Sequence, residues 1–197
     1  MKKVLFFAIL ALFFVSCGSK KANDSSENFV VLTDVVPDVI LEMRYYSTYN
    51  IVGKRIDGYE QPIALMTRQA ADSLKMVSDD LRKHGYRIKI WDAYRPKRAV
   101  NHLIRWDKDL DNEVNYSHSR GSSVDLTLVD EQTGLELDMG SPLDVNLTPT
   151  QLANRLVLRH AMLSHGFVGL DNVWWHFTLA DEPFPDTYFD FPVRDLK

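Results

Sequence analysis

Cysteine is almost absent: there is one, Cys17, in 197 residues. No intramolecular disulfide can form, and a multi-cysteine zinc site is excluded. Positive charge is not in surplus either. With 23 Lys+Arg against 27 Asp+Glu the net charge is -4, whereas a nucleic-acid binder presents a basic face. No nucleic-acid partner is expected. Apolar runs of membrane-spanning length are missing too: the longest, residues 4–15, has 12 residues, and a bilayer demands about 17–25. Internal repeats and low-complexity tracts are lacking. What remains is an ordinary globular composition, 45% hydrophobic and 25% charged, which excludes wholesale disorder, collagen and coiled coil. A chain of this length makes one compact domain.

The apolar run follows Lys2 and Lys3 and ends at Ser16-Cys17-Gly18. A basic start, an apolar stretch and a small residue before a cysteine resemble a bacterial lipoprotein lipobox. The resemblance implies a signal peptide over residues 1–16 and acylation at Cys17, so that lipid ties the chain to a membrane. Residues 17–28 show no apolar periodicity and read as a flexible tether. Residues 29–197 would then be a domain held in the cell envelope, as a periplasmic or outer-membrane lipoprotein, where cell-wall peptides are found.

Within that domain, Phe29-Val30-Val31-Leu32 reads as an edge or entry strand. Residues 67–84 read as a helix, with Ala70, Ala71, Leu74, Val77 and Leu81 on one face, Thr67 able to cap and Gly85 after the end. Residues 86–92 alternate as a strand. Residues 96–106 form a helix opened by proline. Residues 122–128 form a strand with Val124, Leu126 and Leu128 on the core face and Ser123, Asp125 and Thr127 on the other. Thr148-Pro149-Thr150-Gln151 carries the capping-box and proline signature of a helix start. That helix is expected to run to about Ser164 with Leu152, Leu156 and Leu163 inward. Residues 174–179 are a last strand. Strands and helices mix without βαβ alternation, which predicts an α+β domain: a central antiparallel or mixed sheet flanked by helices.

Six histidines are present. His84, His102, His160 and His165 fall on expected helices or their ends among Arg and Lys and read as ordinary structural residues. His118 and His176 do not. His118 precedes Gly121, which permits a tight turn, and Asp125 follows on a strand face. A carboxylate on a half-buried strand needs a partner. His176 alternates with Trp174 and Thr178 on another strand. Two imidazoles and one carboxylate on rigid strands are donors of catalytic-zinc type, with a fourth position left open. By spacing alone the signal is only moderately specific, and a site without metal stays open at this point.

The run Ser117-His118-Ser119-Arg120-Gly121-Ser122-Ser123-Val124-Asp125-Leu126-Thr127-Leu128 resembles the zinc motif of the D-alanyl-D-alanine dipeptidase family. Other segments match in the same order. Arg44-Tyr45-Tyr46-Ser47-Thr48-Tyr49-Asn50-Ile51-Val52-Gly53, then Gly58-Tyr59, resembles its N-terminal stretch, and Trp91-Asp92-Ala93-Tyr94-Arg95-Pro96 its Asp-x-Tyr-Arg-Pro motif. Met139-Gly140-Ser141-Pro142-Leu143-Asp144, Trp174-Trp175-His176 and Tyr188-Phe189-Asp190-Phe191-Pro192 also fit. The resemblance implies one Zn2+ per chain on His118, Asp125 and His176, and a zinc site lying on the sheet. It implies that Arg95 stabilises charge on the scissile carbonyl, that Asp144 receives the substrate ammonium, and that D-Ala-D-Ala or peptidoglycan-derived peptides are the partners.

One position departs from the pattern. The family has Glu-Trp-Trp-His where this chain has Val173-Trp174-Trp175-His176, and the missing glutamate is the family's general base and acid. Valine has no proton to transfer, and losing that help costs about 10²–10⁴-fold in rate. Asp171, Asp181 and Glu182 are nearby carboxylates that could substitute. Two segments walling the site in relatives are shorter here, which predicts a more open site. Three functions therefore compete: a zinc D-Ala-D-Ala dipeptidase weakened by Val173, a catalytically dead zinc module that recognises D-Ala ends of wall peptides, and a zinc carboxypeptidase acting on longer stem peptides.

Overall fold

The computed structural model describes residues 26–110, 112–141 and 146–197. The signal peptide, Cys17, most of the tether and Asp144 lie outside the described residues. After a short 3₁₀ turn the chain forms β1 (Phe29–Val31), a single helical turn α1 (Leu32–Val35), β2 (Ile40–Leu41) and β3 (Leu65–Thr67). Helix α2 (Arg68–Arg82), β4 (Tyr86–Asp92), α3 (Lys97–Trp106), α4 (Asn112–Ser117) and β5 (Ser123–Asp130) follow, then α5 (Pro149–Ser164), β6 (Phe167–Gly169) and β7 (His176–Leu179). The expected α+β class holds. β1 and β3 pair as a separate antiparallel ribbon, and the main sheet runs β2-β4-β5-β7-β6. It is mixed: β2 lies parallel to β4, and every other pairing is antiparallel.

One core lies where α2 and α5 pack by the sheet. Leu74, Val77 and Leu81 of α2 meet Ile88, Ile90, Val124, Leu126 and Leu128 of the central strands, all buried. A second core gathers Phe29, Tyr94, Phe189 and Val193. There the Phe29 ring meets Tyr94, Phe189 and Phe191 edge-on at 4.9–5.0 Å, a preferred aromatic geometry.

Three local expectations need correction. Thr67 sits at the N-terminus of α2 but does not cap it with its side chain; its hydroxyl is bonded to the Ser122 hydroxyl at 2.9 Å. The last strand begins at His176, not Trp174, because the preceding residues form a turn in which the His176 N–H donates to the Val173 carbonyl at 3.2 Å. The largest correction concerns α5. Its capping box is present, with Thr148 and Gln151 bonded reciprocally and Pro149 next. Yet Leu152, Leu156 and Leu163 face out, 43–49% exposed, while Leu158 and Met162 are buried. The helix carries two apolar stripes, and polar anchors choose between them. Gln151 and Arg155 lie on the same stripe as Leu158 and Met162, at spacings of four, three and four. Gln151 Nε2 donates to Asp138, and Arg155 donates to the carbonyls of Met139 (2.6 Å) and Ser141 (3.0 Å). Those bonds turn the Leu158 side inward.

Candidate active site

Three neighbouring strands bring the polar residues into one row. Asp125 of β5 is the direct cross-strand partner of His176 at the start of β7. On its other side Asp125 is the partner of Asp92, the last residue of β4. That second pairing depends on an irregularity. Ile88 and Ile90 pair with Leu128 and Leu126, and continued alternation would set Asp92 opposite Val124. A register shift between Ile90 and Asp92 sets it opposite Asp125 instead. A one-residue slip exchanges the faces of a strand, and here it moves a carboxylate from the core side to the site.

His118 arrives by another route. It begins a 3₁₀ turn closed by Gly121, whose φ is +80° and whose N–H donates to the His118 carbonyl at 3.0 Å. A Cβ at Gly121 would lie 2.2 Å from the Phe29 ring, so the turn requires glycine twice over, for its conformation and for space. The His118 Nδ1–H donates to the Ala93 carbonyl at 2.7 Å. A carbonyl only accepts, so the Nε2 of the neutral ring carries the lone pair.

That Nε2 lies 3.1 Å from His176 Nδ1 and 3.3 Å from Asp125 Oδ1, and the last two atoms are 2.9 Å apart. The three residues are a group that could hold a metal ion. A tetrahedral ion with bonds of about 2.0–2.1 Å sets its donors about 3.3 Å apart, so the spacing fits one. Each donor is also oriented from behind, as metal ligands are. Ala93 holds His118, and the Ser117 and Thr178 hydroxyls each lie 3.3 Å from His176 Nε2. Arg95 Nη2 approaches the second oxygen of Asp125 at 3.4 Å. Burial would push the Asp125 carboxyl up, but the charge and hydrogen bonds of His118 and His176 hold it far below the usual carboxylate range. Burial pushes His176 down despite Asp125 beside it. Both shifts favour the forms that donate to a metal.

Arg95 is 3% exposed and engaged on all three nitrogens. Nε donates to Asp92 at 2.9 Å, Nη1 to Asn115, and Nη2 to Asp125. Its guanidinium carbon lies 4.7 Å from the centre of the Tyr45 ring. Burial alone would lower its pKa, but the surrounding Tyr45, Asp92, Tyr59 and Asp125 push it up, so it stays charged. Burial raises the Asp92 carboxyl, against the opposing pull of Arg95, and the Tyr59 hydroxyl donates to it at 2.7 Å.

In front of this floor lies a cavity of about 750 Å³, walled by Tyr45, Tyr49, Trp91, Trp174 and Trp175 and reaching Asp92 and Asp125. Drug-sized ligands fill pockets of about 300–1,000 Å³, so two alanines leave much of this one empty. The carboxylates proposed to replace the glutamate are not on its wall. Asp171 is 94% exposed and paired with Arg159, Asp181 is exposed, and Glu182 is held by Arg120 at 2.7–3.0 Å. Glu136 and Asp138 do line it, together with Arg44. Sequence reasoning assigned no role to these three, nor to Asp92, Tyr59 and Asn115. For Asp92 the Asp-x-Tyr-Arg-Pro motif was a signal, since a buried arginine needs a counter-charge. His102 and His165 bond to Asp57 and Asp80 and stand apart from the site.

An α+β fold with a buried histidine–aspartate–histidine group whose aspartate reaches a cavity defines a metallopeptidase type of site. The chain belongs to the D-Ala-D-Ala dipeptidase family of M15 peptidases, which it matches over residues 25–116 and 108–194. It is 35% identical to a D-alanyl-D-alanine dipeptidase of Enterococcus faecium over 84% of this chain and 98% of that one. A D-alanyl-D-alanine dipeptidase of Streptomyces coelicolor is 30% identical over the same shares, and one of Escherichia coli 35% over 80% and 86%.

Proposed function

We propose that this chain is a zinc-dependent hydrolase of D-Ala-D-Ala or a related D-amino-acid dipeptide, acting in cell-wall metabolism and slowed by the loss of its general base. The observation that carries the reading is the triangle of His118 Nε2, Asp125 Oδ1 and His176 Nδ1, with edges of 2.9–3.3 Å. These residues would hold the zinc. When bound, zinc supplies Lewis acidity and brings a water's pKa toward about 7.

The chain's own residues do the rest. His118 and His176 present lone pairs fixed by Ala93, Ser117 and Thr178. Asp125 stays ionised. Arg95 keeps a permanent positive charge against Asp125, where it offsets negative charge that develops on a substrate carbonyl. Its partners Asp92 and Asn115 fix that charge in place. Asp144 is assigned the substrate ammonium. At position 173 no proton can be taken up or returned. Lipid on Cys17 would keep the domain at the envelope, beside cell-wall peptides.

Val173 favours a second reading, a zinc-holding module that binds D-Ala ends without cutting them. The wide cavity favours a third, a carboxypeptidase on longer stem peptides. One experiment separates all three: release of D-alanine from D-Ala-D-Ala and from a stem pentapeptide by zinc-loaded protein, with Val173→Glu alongside. The dipeptidase reading expects slow release from the dipeptide, raised about 10²–10⁴-fold by the glutamate. Release from the pentapeptide alone supports the carboxypeptidase. Zinc bound with no release, even by the variant, overturns the catalytic readings. His118→Ala should lose the zinc, and an unchanged zinc content per chain would sink the ligand assignment.

A further inference from the structure

The two arginines nearest the cavity differ in what they have left to give. Arg95 lies behind the wall with each nitrogen already engaged. Arg44 is on the wall. Its guanidinium carbon is 3.8 Å from the centre of the Trp91 ring and 5.5 Å from that of Tyr49. Its Nε donates to Glu42 at 3.1 Å, and among the described residues its two terminal nitrogens make no hydrogen bond. Stacking on rings covers the faces of a guanidinium and leaves its in-plane N–H donors free.

Its place in the fold is fixed by the backbone. The Arg44 N–H donates to the Trp91 carbonyl at 3.1 Å, extending the pairing of β2 with β4 beyond the strand itself. Trp91 precedes Asp92, which faces Asp125, which faces His176. The sheet therefore sets an open cation at one end of a row and the histidine–aspartate group at the other. Two strand spacings, about 10 Å, separate the backbones of Arg44 and Asp125. One extended residue of about 3.3 Å and the long arginine side chain can bridge that span.

We propose that Arg44 is the carboxylate-binding residue of this cavity, and that its ligand is a peptide presenting a free C-terminal carboxylate there. This rests on the reading of the cavity as a peptide site. A guanidinium fork matches a carboxylate through two parallel hydrogen bonds. The acidic residues on the wall, Asp92, Asp125, Glu136 and Asp138, disfavour a multiply charged anion such as phosphate and suit a ligand that also carries an ammonium. A zwitterionic peptide satisfies both signs. The assignment also supplies a specificity the aromatic wall cannot, because rings accept any side chain of suitable size whereas a cationic fork demands a chain end.

The test compares D-Ala-D-Ala with its C-terminal amide on zinc-loaded protein, reading the dissociation constant by calorimetry, or KM where a peptide is cleaved. The unaltered chain should prefer the acid by about 10- to 100-fold, the range of a hydrogen bond to a charged group. Arg44→Met, which keeps the unbranched stem, should weaken the acid by that factor and leave the amide unchanged, with Arg44→Lys between. Equal binding of acid and amide by the unaltered chain overturns the assignment without any variant. So does Arg44→Met weakening both peptides alike, which would mark Arg44 as a prop for Trp91. If neither peptide binds, the peptide-site reading itself falls, and this assignment with it.

Discussion

The floor of the cavity and its outer wall are built in opposite ways. On the floor, His118, Asp92, Arg95 and His176 are buried and bond to one another; Asp92 and His176 sit at strand ends, His118 in a 3₁₀ turn and Arg95 in the short segment after β4. On the wall, Arg44 and Glu136 are about a third exposed, and Glu136, Asp138 and Met139 come from the connection after β5. Floor groups have partners even without a ligand, while Arg44 keeps donors in reserve. The difference separates two tasks. A floor that must hold reacting atoms within tenths of an ångström is preorganised by strand register. A wall that must admit and sort a peptide keeps unfilled bonding capacity. Substitutions on the floor should therefore be felt first as lost stability, and those on the wall first as lost binding.

The sharpest break is expected at Asp92. It is 3% exposed and bonded to Arg95, which is equally buried. Removing one partner of a buried pair leaves an uncompensated charge, at about 3–5 kcal/mol. Asp92→Ala should lower the urea midpoint accordingly at an unchanged slope. A loss under 1 kcal/mol would mean that Asn115, Asp125 and Tyr45 suffice to hold Arg95, and the floor would be less interdependent than its geometry indicates.

A smaller effect is expected where wall meets floor. Arg155 donates to the carbonyls of Met139 and Ser141, and its guanidinium carbon lies 5.4 Å from the centre of the Trp174 ring, two residues before His176. It thus ties the cavity wall to the turn leading into β7. Hydrogen bonds to charged groups contribute about 1.5–3 kcal/mol each when buried, and partial exposure here reduces that to about 1–2 kcal/mol for Arg155→Ala. The peptide affinity should fall further than stability does. If affinity is untouched, the wall does not depend on this tie.

The sequence is informative about this molecule where chemistry is local and less so where it is relational. The α2 stripe, the Thr148 capping box and the strand alternation around Asp125 were legible because each is set by spacing along one segment. His118, Asp125 and His176 were legible as a group only through a known pattern of motifs, since spacing cannot say that two strands will lie side by side. Asp92 was obscured by a register shift: simple alternation places it with Ile88 and Ile90 on the core face. Arg44 reads along the chain like any other surface arginine, because its stacking on Trp91 is made only across the sheet. Thr67 had the right residue type for a cap, but a hydroxyl across the fold competed for it.

The smallest effect is the one that the leucine pattern of α5 predicts most poorly. Leu152, Leu156 and Leu163 form a regular helical stripe, and periodicity alone turns that stripe inward. The bonds of Gln151 and Arg155 to residues 138–141 oppose it, and the side that carries Leu158 and Met162 is buried. The same mutation type therefore distinguishes the two faces. Leu158→Ala should cost about 2–5 kcal/mol through lost burial and a cavity. Leu156→Ala, at 43% exposure, should stay within about 0.5 kcal/mol and leave peptide affinity unchanged. Equal costs at the two positions would mean that the leucine stripe is covered in solution. The anchors at Gln151 and Arg155 would then hold the wall without having chosen the only apolar face that α5 buries.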